Sequence, residues 1–542
     1  MNADLIIFST QVFNTRIKDA APAAIAIKGE KIIFVGPQED AMSFVGPSTL
    51  LQNFDDAFIM PGFHDSHMHV FHSALYSSPL ALSYLGKNEQ DCVDALAPLA
   101  ARRPKESWLL SQGWREYRWD PPSLPSKRSL DARYPNRPVA MYSGDAHTLW
   151  VNSTALNRLG ITADSTAPEG GNYVRDEQGE LTGIIRETAA MELMPQIMKS
   201  FSTKEITSAY LAFFNKLASQ GISSVCDMAL MPYPGLDFVR DDIYEQLALS
   251  QQLPLRVHLF PTLLNNFERF DNMRERFTGP MLRASGLKQF FDGVSSQHSA
   301  FLAKPYTNAR FPGERGQLSI SFETMRKLII NAAEKGYSAR IHTIGDEAIH
   351  LALDIFEEAI GRFGAPSYGQ NCLEHLENLQ PKDIPRLANL GILAAVQPPH
   401  ITLDPGGPER DLGPERTPYM WPFKSFLKEG VALAFGTDSP VVSSNPFDVL
   451  YAAVTRQDPH THQPRGGWLA QERIGMPEAI SAYTIGSAQA AGRSQELGSL
   501  EVGKYADIVV LDRNLLTIDA DMIQKTQVIA TYVGGTCIFR NF

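Results

Sequence analysis

The segment MPGFHDSHMHV, residues 60–70, contains three histidines within six positions. Two of them, His67 and His69, are one residue apart, so their side chains point the same way from an extended strand. Neutral imidazoles are good ligands for Zn²⁺ and similar divalent cations. The alternative is a pair of structural histidines on a strand. A metal site therefore requires further ligands elsewhere in the chain.

Further metal-competent side chains lie where short apolar runs end. They are Lys288 in GLKQFFDG, His342 in ARIHTIGD, His375 in CLEHLEN and Asp438 in AFGTDSP. The carboxyl ends of parallel strands in a barrel meet on one face, so these side chains are predicted to converge with the first histidine pair. Two alternatives remain open: Asp438 can cap the helix that follows it, and Lys288 can pair with a carboxylate such as Asp292.

Eight apolar runs would carry these residues, and helical segments alternate with them from about Thr203 onward. The runs are FIMPGFHDSHMH, GISSVCDMA, LPLRVHLFPT, GLKQFFDGVS, YSARIHTIGD, QNCLEHLEN, GILAAVQPPH and VALAFGTDSP. Helix candidates are TKEITSAYLAFFNKLASQG, FETMRKLIINAAEKG and DEAIHLALDIFEEAIGRFG. Runs that are apolar on both faces indicate parallel strands under a helical cover. The pattern predicts an α/β protein with a (β/α)₈ TIM barrel.

Both ends of the chain differ from the middle. Residues 1–58 and 496–542 alternate short β-type runs with turns, and we predict that they share one composite β-sandwich domain. Residues 59–495 then form the barrel domain. Residues 71–202 do not follow the β–α alternation and are rich in Pro, Trp and turn residues, so we predict an insertion after the first barrel strand.

Composition excludes several classes of function. The formal net charge is −11, which disfavours binding to nucleic acid. Four dispersed cysteines fit a reducing compartment, and no signal peptide or membrane-spanning run is evident. We therefore expect a cytoplasmic protein with a small-molecule substrate and no membrane partner. A homo-oligomer is also expected, with a dimer as the leading form.

The motifs MPGFHDSHMHV, GLKQFFDG, RIHTIGDEAI, CLEHLEN and AFGTDSP together resemble the metal-dependent amidohydrolase superfamily. More narrowly, SGDAHTLWVNSTAL, GGNYVRDEQGELTGIIRE and AVQPPHIT resemble its YtcJ-like branch, which includes N-substituted formamide deformylases. The tail GSLEVGKYADIVVLD is similar to the segment that closes the small β domain of many members. The matching motifs extend from near Pro61 to near Asp512.

The resemblance implies a role for each ligand candidate. His67 and His69 would bind one Zn²⁺ ion, and Asp438 would complete that side of the site. Lys288, carboxylated by CO₂ on its amine, would bridge to a second ion held by His342 and His375, although a one-metal site and another divalent metal remain open. Asp438 would also take a proton from the attacking water and give it to the departing nitrogen.

Four other residues are candidates for supporting roles. The resemblance implies that His147 contacts the substrate carbonyl. Strand alternation places Asp65 on the side of the ligands, where it would orient an imidazole, and His64 on the opposite side, toward the helices. Trp114 and Trp119 either line an apolar substrate pocket or form the core of the insertion.

The leading function is hydrolysis of a C–N bond in an amide-like small molecule by a metal-activated hydroxide, with an N-substituted formamide as the first substrate to test. A cyclic amide, or an ester or lactone, would use the same machinery. A catalytically silent ligand-binding barrel is the alternative from another class. It is disfavoured because all six ligand positions carry competent residues.

Overall fold

The computed structural model describes residues 1–15, 19–144, 146–168, 170–230 and 237–541 of the chain. Two compact units make up the chain: the first combines Met1–His69 with Phe214–Phe542, and the second is Val70–Phe213. Within the described residues, every helix is too short or too polar to cross a bilayer.

All eight predicted runs are strands in the first unit. In chain order, the first to eighth parallel strands are Phe63–Met68, Ile222–Met228, Arg256–Phe260, Leu287–Phe290, Ala339–Thr343, Cys372–His375, Leu393–Val396 and Leu433–Phe435. Strands one to three form one parallel sheet with the short strand Leu282–Ala284, and strands four to eight form another. Nearly every residue in them is buried, as expected for parallel strands covered by helices. The fold class is α/β.

The three predicted helices are also confirmed, at Thr203–Ser219, Phe322–Glu334 and Asp346–Phe363. The second of these begins at a Ser321 side chain that accepts a hydrogen bond from the Thr324 N–H, and the third is followed by a glycine with positive φ.

Apart from Phe322–Glu334 and Asp346–Phe363, the helices that lie wholly within the first unit are mostly short. The α-helices are Gln38–Ala41, Asp241–Leu249, Glu268–Arg276, Ile384–Asn389, Gly407–Leu412, Phe423–Lys428, Pro446–Thr455, Met476–Ser481 and Ser487–Ala490. Single turns of 3₁₀ or π-helix lie at Met42–Phe44, Ser295–Gln297, Pro381–Asp383, Pro398–Thr402, Thr417–Tyr419, Ala470–Glu472, Ala482–Gly486 and Ala520–Lys525.

Strands from both ends of the chain lie in one eight-stranded sheet. They are Leu5–Val12, Ala21–Lys28, Lys31–Gly36, Leu50–Asn53, Phe58–Pro61, Ile508–Leu511, Val528–Val533 and Thr536–Arg540. Alternate residues of the first strand pack into different apolar clusters, Leu5 and Ile7 in one and Ile6 in the other. Both faces of the sheet are therefore covered.

A buried ion pair ties this sheet to the third parallel strand. Arg256 donates two hydrogen bonds to Asp507, at 2.7 and 2.9 Å, and neither side chain is more than 6% exposed. The Gly534 N–H donates to the same carboxylate at 2.8 Å. The division into a composite domain and a barrel domain at residues 58 and 496 stays a prediction.

The second unit has its own mixed sheet, which the sequence patterns did not predict. In sheet order its strands are Gly171–Arg175, Leu181–Glu187, Thr148–Val151, Val139–Ser143, Leu109–Trp114 and Leu82–Ser83. Its helices are Val70–Tyr76, Glu89–Ala95, Ala97–Arg102, Glu116–Arg118, Lys127–Arg133, Ser153–Leu159 and Thr188–Met198. The segment predicted as an insertion, 71–202, lies within this unit.

Candidate metal centre

Three predicted ligands meet where the first and eighth parallel strands end. Asp438 Oδ1 lies 3.0 Å from His69 Nε2 and 3.4 Å from His67 Nε2. One donor atom from each residue lies within 4.8 Å of the others, and all three side chains are buried. This is a compact set of two imidazoles and one carboxylate, of the kind that holds Zn²⁺.

A second group of buried donors shares Asp438. It consists of His375, His400 and Asp438, with donor atoms again within 4.8 Å of one another. His400 was not among the predicted ligands, although it follows the seventh parallel strand, for which no ligand was assigned. The Pro-Pro pair before it indicates the end of a strand, and strand periodicity does not predict that the turn after it lies at the site.

The imidazole of His342 lies beside this second group. Its ring centroid is 4.4 Å from that of His375. His342 Nε2 lies 3.1 Å from the Gly293 carbonyl oxygen, at hydrogen-bonding distance. His342 belongs to neither of the two donor groups found among the described residues, so its role as a ligand stays a prediction.

Lys288 is fully buried and its amine is not paired as an ordinary ion pair would require. Nζ makes no hydrogen bond to any described residue and lies 3.9 Å from the centroid of the Phe290 ring. Burial lowers the pKa of Lys288 to about 8, against the opposing effect of Glu374. The carboxylate of Asp292, the suggested partner, instead accepts from three backbone N–H groups.

A neutral amine is the form that adds CO₂, so the surroundings of Lys288 fit the predicted carbamate. Carboxylation of Lys288 and the number of cations stay predictions.

Three of the predicted histidine ligands, His67, His69 and His375, each use Nδ1 for a hydrogen bond, which fixes the ring. The partners are Glu374 Oε2 for His67 at 2.6 Å, the Met228 carbonyl oxygen for His69 at 2.9 Å and Gln397 Oε1 for His375 at 2.8 Å. In His67 and His69 the other ring nitrogen, Nε2, faces Asp438. Such outer hydrogen bonds select the tautomer and raise the basicity of a metal-binding imidazole.

Glu374 links the centre to the buried guanidinium of Arg340. Arg340 Nε donates to Glu374 Oε1 at 2.6 Å, and both side chains are fully buried. Burial alone would raise the pKa of Glu374, but Arg340 and His67 together hold it well below its ordinary value. The carboxylate is therefore ionised where it meets His67. Sequence patterns missed Glu374 because it directly precedes a ligand and strand alternation puts it on the opposite face.

A strained backbone conformation explains why the side chains of Glu374 and His375, adjacent in sequence, face the same way. His375 has φ of 71° and Asp438 has φ of 56°, in the left-handed region that non-glycine residues rarely adopt. Such conformations persist where surrounding structure over-determines them, and they cluster at functional sites. At the sixth parallel strand the turn of His375 breaks the regular alternation and brings its ring to the side of Glu374.

Asp438 is held as an anion by its neighbours. Burial would raise the pKa of its carboxyl group, but His67 and His69 keep the pKa well below its ordinary value.

The predicted orientations of His64 and Asp65 were wrong. Val225 of the second parallel strand lies opposite Asp65 of the first, and Asp227 lies opposite Met68, so the first strand has one extra residue between these pairs. This bulge puts Asp65 on the face of Met68 and leaves His67 on the other face. His64 consequently stacks on His258, with ring centroids 5.1 Å apart.

Asp65 contacts backbone and hydroxyl groups rather than an imidazole. Its carboxylate accepts from the backbone N–H of His67 at 3.1 Å, from Thr437 Oγ1 at 2.8 Å and from the Tyr483 hydroxyl at 3.0 Å. It therefore positions the ends of the first and eighth strands. The ring of His67 is oriented by Glu374 instead.

The tryptophans predicted as pocket or core are core. Trp114 and Trp119 are 1% and 3% exposed and belong to the apolar cluster of the second unit. The Trp114 indole N–H donates to the Met141 carbonyl oxygen at 2.9 Å. Of the two alternatives, the positions of these side chains support the core of the second unit, and a role in substrate binding stays a prediction.

His147 also lies in the second unit, where its partner is a residue that was not predicted. Its Nδ1 lies 2.8 Å from Glu187 Oε2, and Glu187 has a positive φ of 53°. Neither group is fully buried. The role of His147 toward a substrate stays a prediction.

Unsatisfied polar atoms test whether a cation fits the first unit. His67 Nε2 and Lys288 Nζ are buried and make no hydrogen bond within the described residues, and Asp438 Oδ1 lies 3.0 Å from His69 Nε2 without the alignment of a hydrogen bond. Leaving such groups unpaired is costly, whereas a divalent cation would satisfy the imidazole and the carboxylate. Nitrogen and oxygen donors of this kind suit Zn²⁺ and comparable ions. The residues fit a metal centre.

The chain matches one family over most of its length. The sequence profile of the amidohydrolase family covers residues 53–539. Protein LONG AFTER FAR-RED 3 of Arabidopsis thaliana is 29% identical over 99% of this chain and 92% of its own length. The YtcJ protein of Bacillus subtilis is 28% identical over 91% of both chains. The N-substituted formamide deformylase of Arthrobacter pascens is 25% identical over 98% of this chain and 97% of its own.

Solved structures share the fold. An uncharacterized metal-dependent hydrolase from Pyrococcus horikoshii is 24% identical, covers 95% of this chain and 99% of its own, and gives a TM-score of 0.77. Atrazine chlorohydrolase TrzN from Arthrobacter aurescens, solved in complex with zinc, is 16% identical, covers 99% of this chain and 95% of its own, and gives a TM-score of 0.55.

Proposed function

We propose that this chain, which belongs to the amidohydrolase family and is a hydrolase of carbon–nitrogen bonds, cleaves an amide-like small molecule at the cluster around Asp438. The observation that carries the proposal is the sharing of one buried carboxylate by two groups of imidazoles. Such a set can hold two divalent cations close together, which is the arrangement used for hydrolytic displacement.

We also infer that the eight parallel strands close into a (β/α)₈ barrel. Two parallel bridges support closure, because Thr262 pairs with Lys288 between the third and fourth strands and Met68 pairs with Ser439 between the first and eighth. A barrel brings the carboxyl ends of all its strands to one face. His67, Lys288, His375 and Asp438 would then line one mouth.

The proposed centre assigns ligands by strand. His67, His69 and Asp438 would hold one cation, while His342, His375 and a carboxylated Lys288 would contribute to the second. Zn²⁺ is the first candidate, as in the zinc complex of the chlorohydrolase. A bound divalent cation supplies Lewis acidity, which lowers the pKa of water and polarises a carbonyl group.

Asp438 performs the proton transfers. Its ionised carboxylate takes a proton from a water molecule as the water oxygen forms a bond to the carbonyl carbon. As the carbon–nitrogen bond breaks, Asp438 returns that proton to the nitrogen, because an unprotonated amine leaves poorly. The products are a carboxylic acid and an amine, so one water molecule is consumed for each bond cleaved.

An N-substituted formamide is the proposed substrate, because the deformylase of Arthrobacter pascens matches nearly the full length of both chains. The products would be formic acid and the corresponding amine. An N-acetyl amide of the same amine is the matched comparison. Equal or faster turnover of the acetyl compound would contradict the formamide assignment and leave amide hydrolysis intact.

Metal removal tests the hydrolytic centre. We expect the chelated protein to lose formamide turnover, and Zn²⁺ to restore equal amounts of formate and amine. Asp438→Asn should remain inactive after the same treatment while keeping the circular dichroism spectrum of the parent. Undiminished turnover by protein shown by mass spectrometry to hold no metal would refute the proposal.

A further inference from the structure

We propose that His400 is a further ligand of the second cation, beside His375 and close to Asp438, an inference that rests on the proposed function only in requiring a metal-loaded site. Neither the sequence patterns nor the resemblance assigned a role to His400. Its donor atom lies within 4.8 Å of the donor atoms of the other two residues, and all three side chains are buried.

The ring geometry places His400 against a predicted ligand. The rings of His375 and His400 are nearly parallel, with an interplanar angle of 7° and centroids 6.2 Å apart. One ring nitrogen of each lies within 4.8 Å of a carboxylate oxygen of Asp438.

A short rigid segment delivers His400 to this position. The seventh parallel strand ends at Val396, and the 3₁₀ turn Pro398–Thr402 begins with two prolines. The His400 N–H donates to the Gln397 carbonyl oxygen at 2.9 Å, which closes the turn. Prolines fix φ, so the segment has little freedom to swing His400 away.

The same segment also orients His375. The Gln397 side-chain oxygen accepts a hydrogen bond from His375 Nδ1 at 2.8 Å. Gln397 therefore fixes the imidazole of His375, and His400, three residues later, supplies a second imidazole. A site needs its ligands held by neighbouring groups that are themselves fixed, and this turn holds the ring of His375 and the backbone of His400.

The donor chemistry distinguishes His400 from a substrate-binding residue. Two imidazoles and a carboxylate form a ligand set for a borderline divalent cation, matching the group of His67, His69 and Asp438. Asp438 is common to both groups. The structure therefore contains two three-residue sets that share Asp438, and His400 belongs to the second.

Metal titration tests the inference without using activity. Metal-free parent protein and His400→Ala would be titrated with Zn²⁺ and with Co²⁺, following heat and the visible spectrum of bound Co²⁺. We expect the parent to bind two ions per chain. His400→Ala should keep the first site and weaken the second by more than about 100-fold, since even outer-shell changes cost 10–100-fold in affinity.

Controls separate this result from unfolding and from surface binding. His400→Asn retains a polar side chain. The urea unfolding curves of both variants without metal must match the curve of the metal-free parent, so that a loss of metal binding is not a loss of folding. His460→Ala removes an exposed histidine and should leave both ions bound with parental affinity.

The outcomes separate the two proposals. A second ion bound by His400→Ala or His400→Asn with parental affinity would overturn the role of His400, and a raised KM with unchanged metal binding would assign it to the substrate instead. A parent that binds one ion and still hydrolyses amides would also overturn it, while the proposed function would stand. A parent that binds no ion would overturn both.

Discussion

The Oε2 atom of Glu374 lies 2.6 Å from Nδ1 of His67, and both side chains are shielded from solvent. An ionised carboxylate at Nδ1 holds the proton there and leaves Nε2 as the nitrogen that faces Asp438. Arg340, bonded to the other oxygen of Glu374, keeps this carboxylate charged. The three residues form a chain that runs from a buried guanidinium to the predicted metal ligand.

We expect Glu374→Gln to weaken Zn²⁺ binding about 10–100-fold. A neutral amide orients the ring of His67 less strongly than a carboxylate and does not raise the basicity of the imidazole. Calorimetric titration of metal-free protein measures the change. Glu415→Gln, an exposed substitution of the same kind, should leave the affinity unaltered.

Loss of the carboxylate also leaves Arg340 buried without its partner, which costs about 3–5 kcal/mol of unfolding free energy. The double variant Glu374→Gln with Arg340→Met removes that unpaired charge. It should recover stability in urea unfolding while Zn²⁺ binding stays weak. Recovery of both together would mean that Glu374 acts only through stability.

Replacing Asp438 should affect amides and esters differently. Asp438→Asn removes the proton carrier, which an amine leaving group needs and a phenolate leaving group does not. We expect kcat on a formamide to fall at least about 100-fold further than kcat on an aryl formate ester. Steady-state kinetics of both substrates, at equal metal content measured by mass spectrometry, provide the comparison.

An equal loss on the amide and the ester would contradict the proton-transfer role of Asp438 and leave it as a ligand alone.

The parts of the fold that follow simple periodicity could be predicted from the sequence. All eight parallel strands were found because strands buried on both faces are apolar throughout, and the ends of the first and eighth carry His67, His69 and Asp438 together in space. The mixed sheet of Val70–Phe213 was not found, because its short strands are separated by Pro- and Gly-containing turns that hide their pairing.

The missed site residues share a physical cause. Glu374 shares a face with the ligand that follows it because His375 is in the left-handed region, and a 3₁₀ turn brings His400 to the centre. Period-2 alternation predicts neither. The bulge between His64 and Met68 reversed the expected faces for the same reason, since one extra residue shifts every later side chain to the other side.

Acid should destabilise the protein through the buried pair His64 and His258. Burial, reinforced by Arg493 and Arg340, lowers the pKa of His64 to about 3, and burial also puts the pKa of His258 well below its ordinary value. Below pH 6.5 the unfolded chain binds protons that the folded chain refuses, so stability falls as the pH drops from 6.5 toward 3.

For His64 alone this linkage amounts to about 2 kcal/mol between pH 7.5 and pH 5. Urea unfolding of metal-free protein at the two pH values measures it, and His64→Leu should reduce the pH-dependent loss by about that amount. If the parent and His64→Leu lose the same free energy, the buried imidazole is not the source.

The ion pair of Arg256 and Asp507 provides a test of how far the end sheet supports the parallel strands. Asp507→Ala leaves a buried guanidinium unpaired, and we expect the free energy of unfolding to fall by about 3–5 kcal/mol. Asp519→Ala, at an exposed position on the same segment, should change it by less than about 0.5 kcal/mol.

The double variant Asp507→Ala with Arg256→Met distinguishes charge from packing. Because it removes both charges and keeps most of the side-chain volume, it should regain much of the lost stability in urea unfolding. Stability that stays low in the double variant would mean that the Gly534 N–H, which also donates to Asp507, carries the connection. In either case the third parallel strand depends on residues more than 200 positions away in the chain.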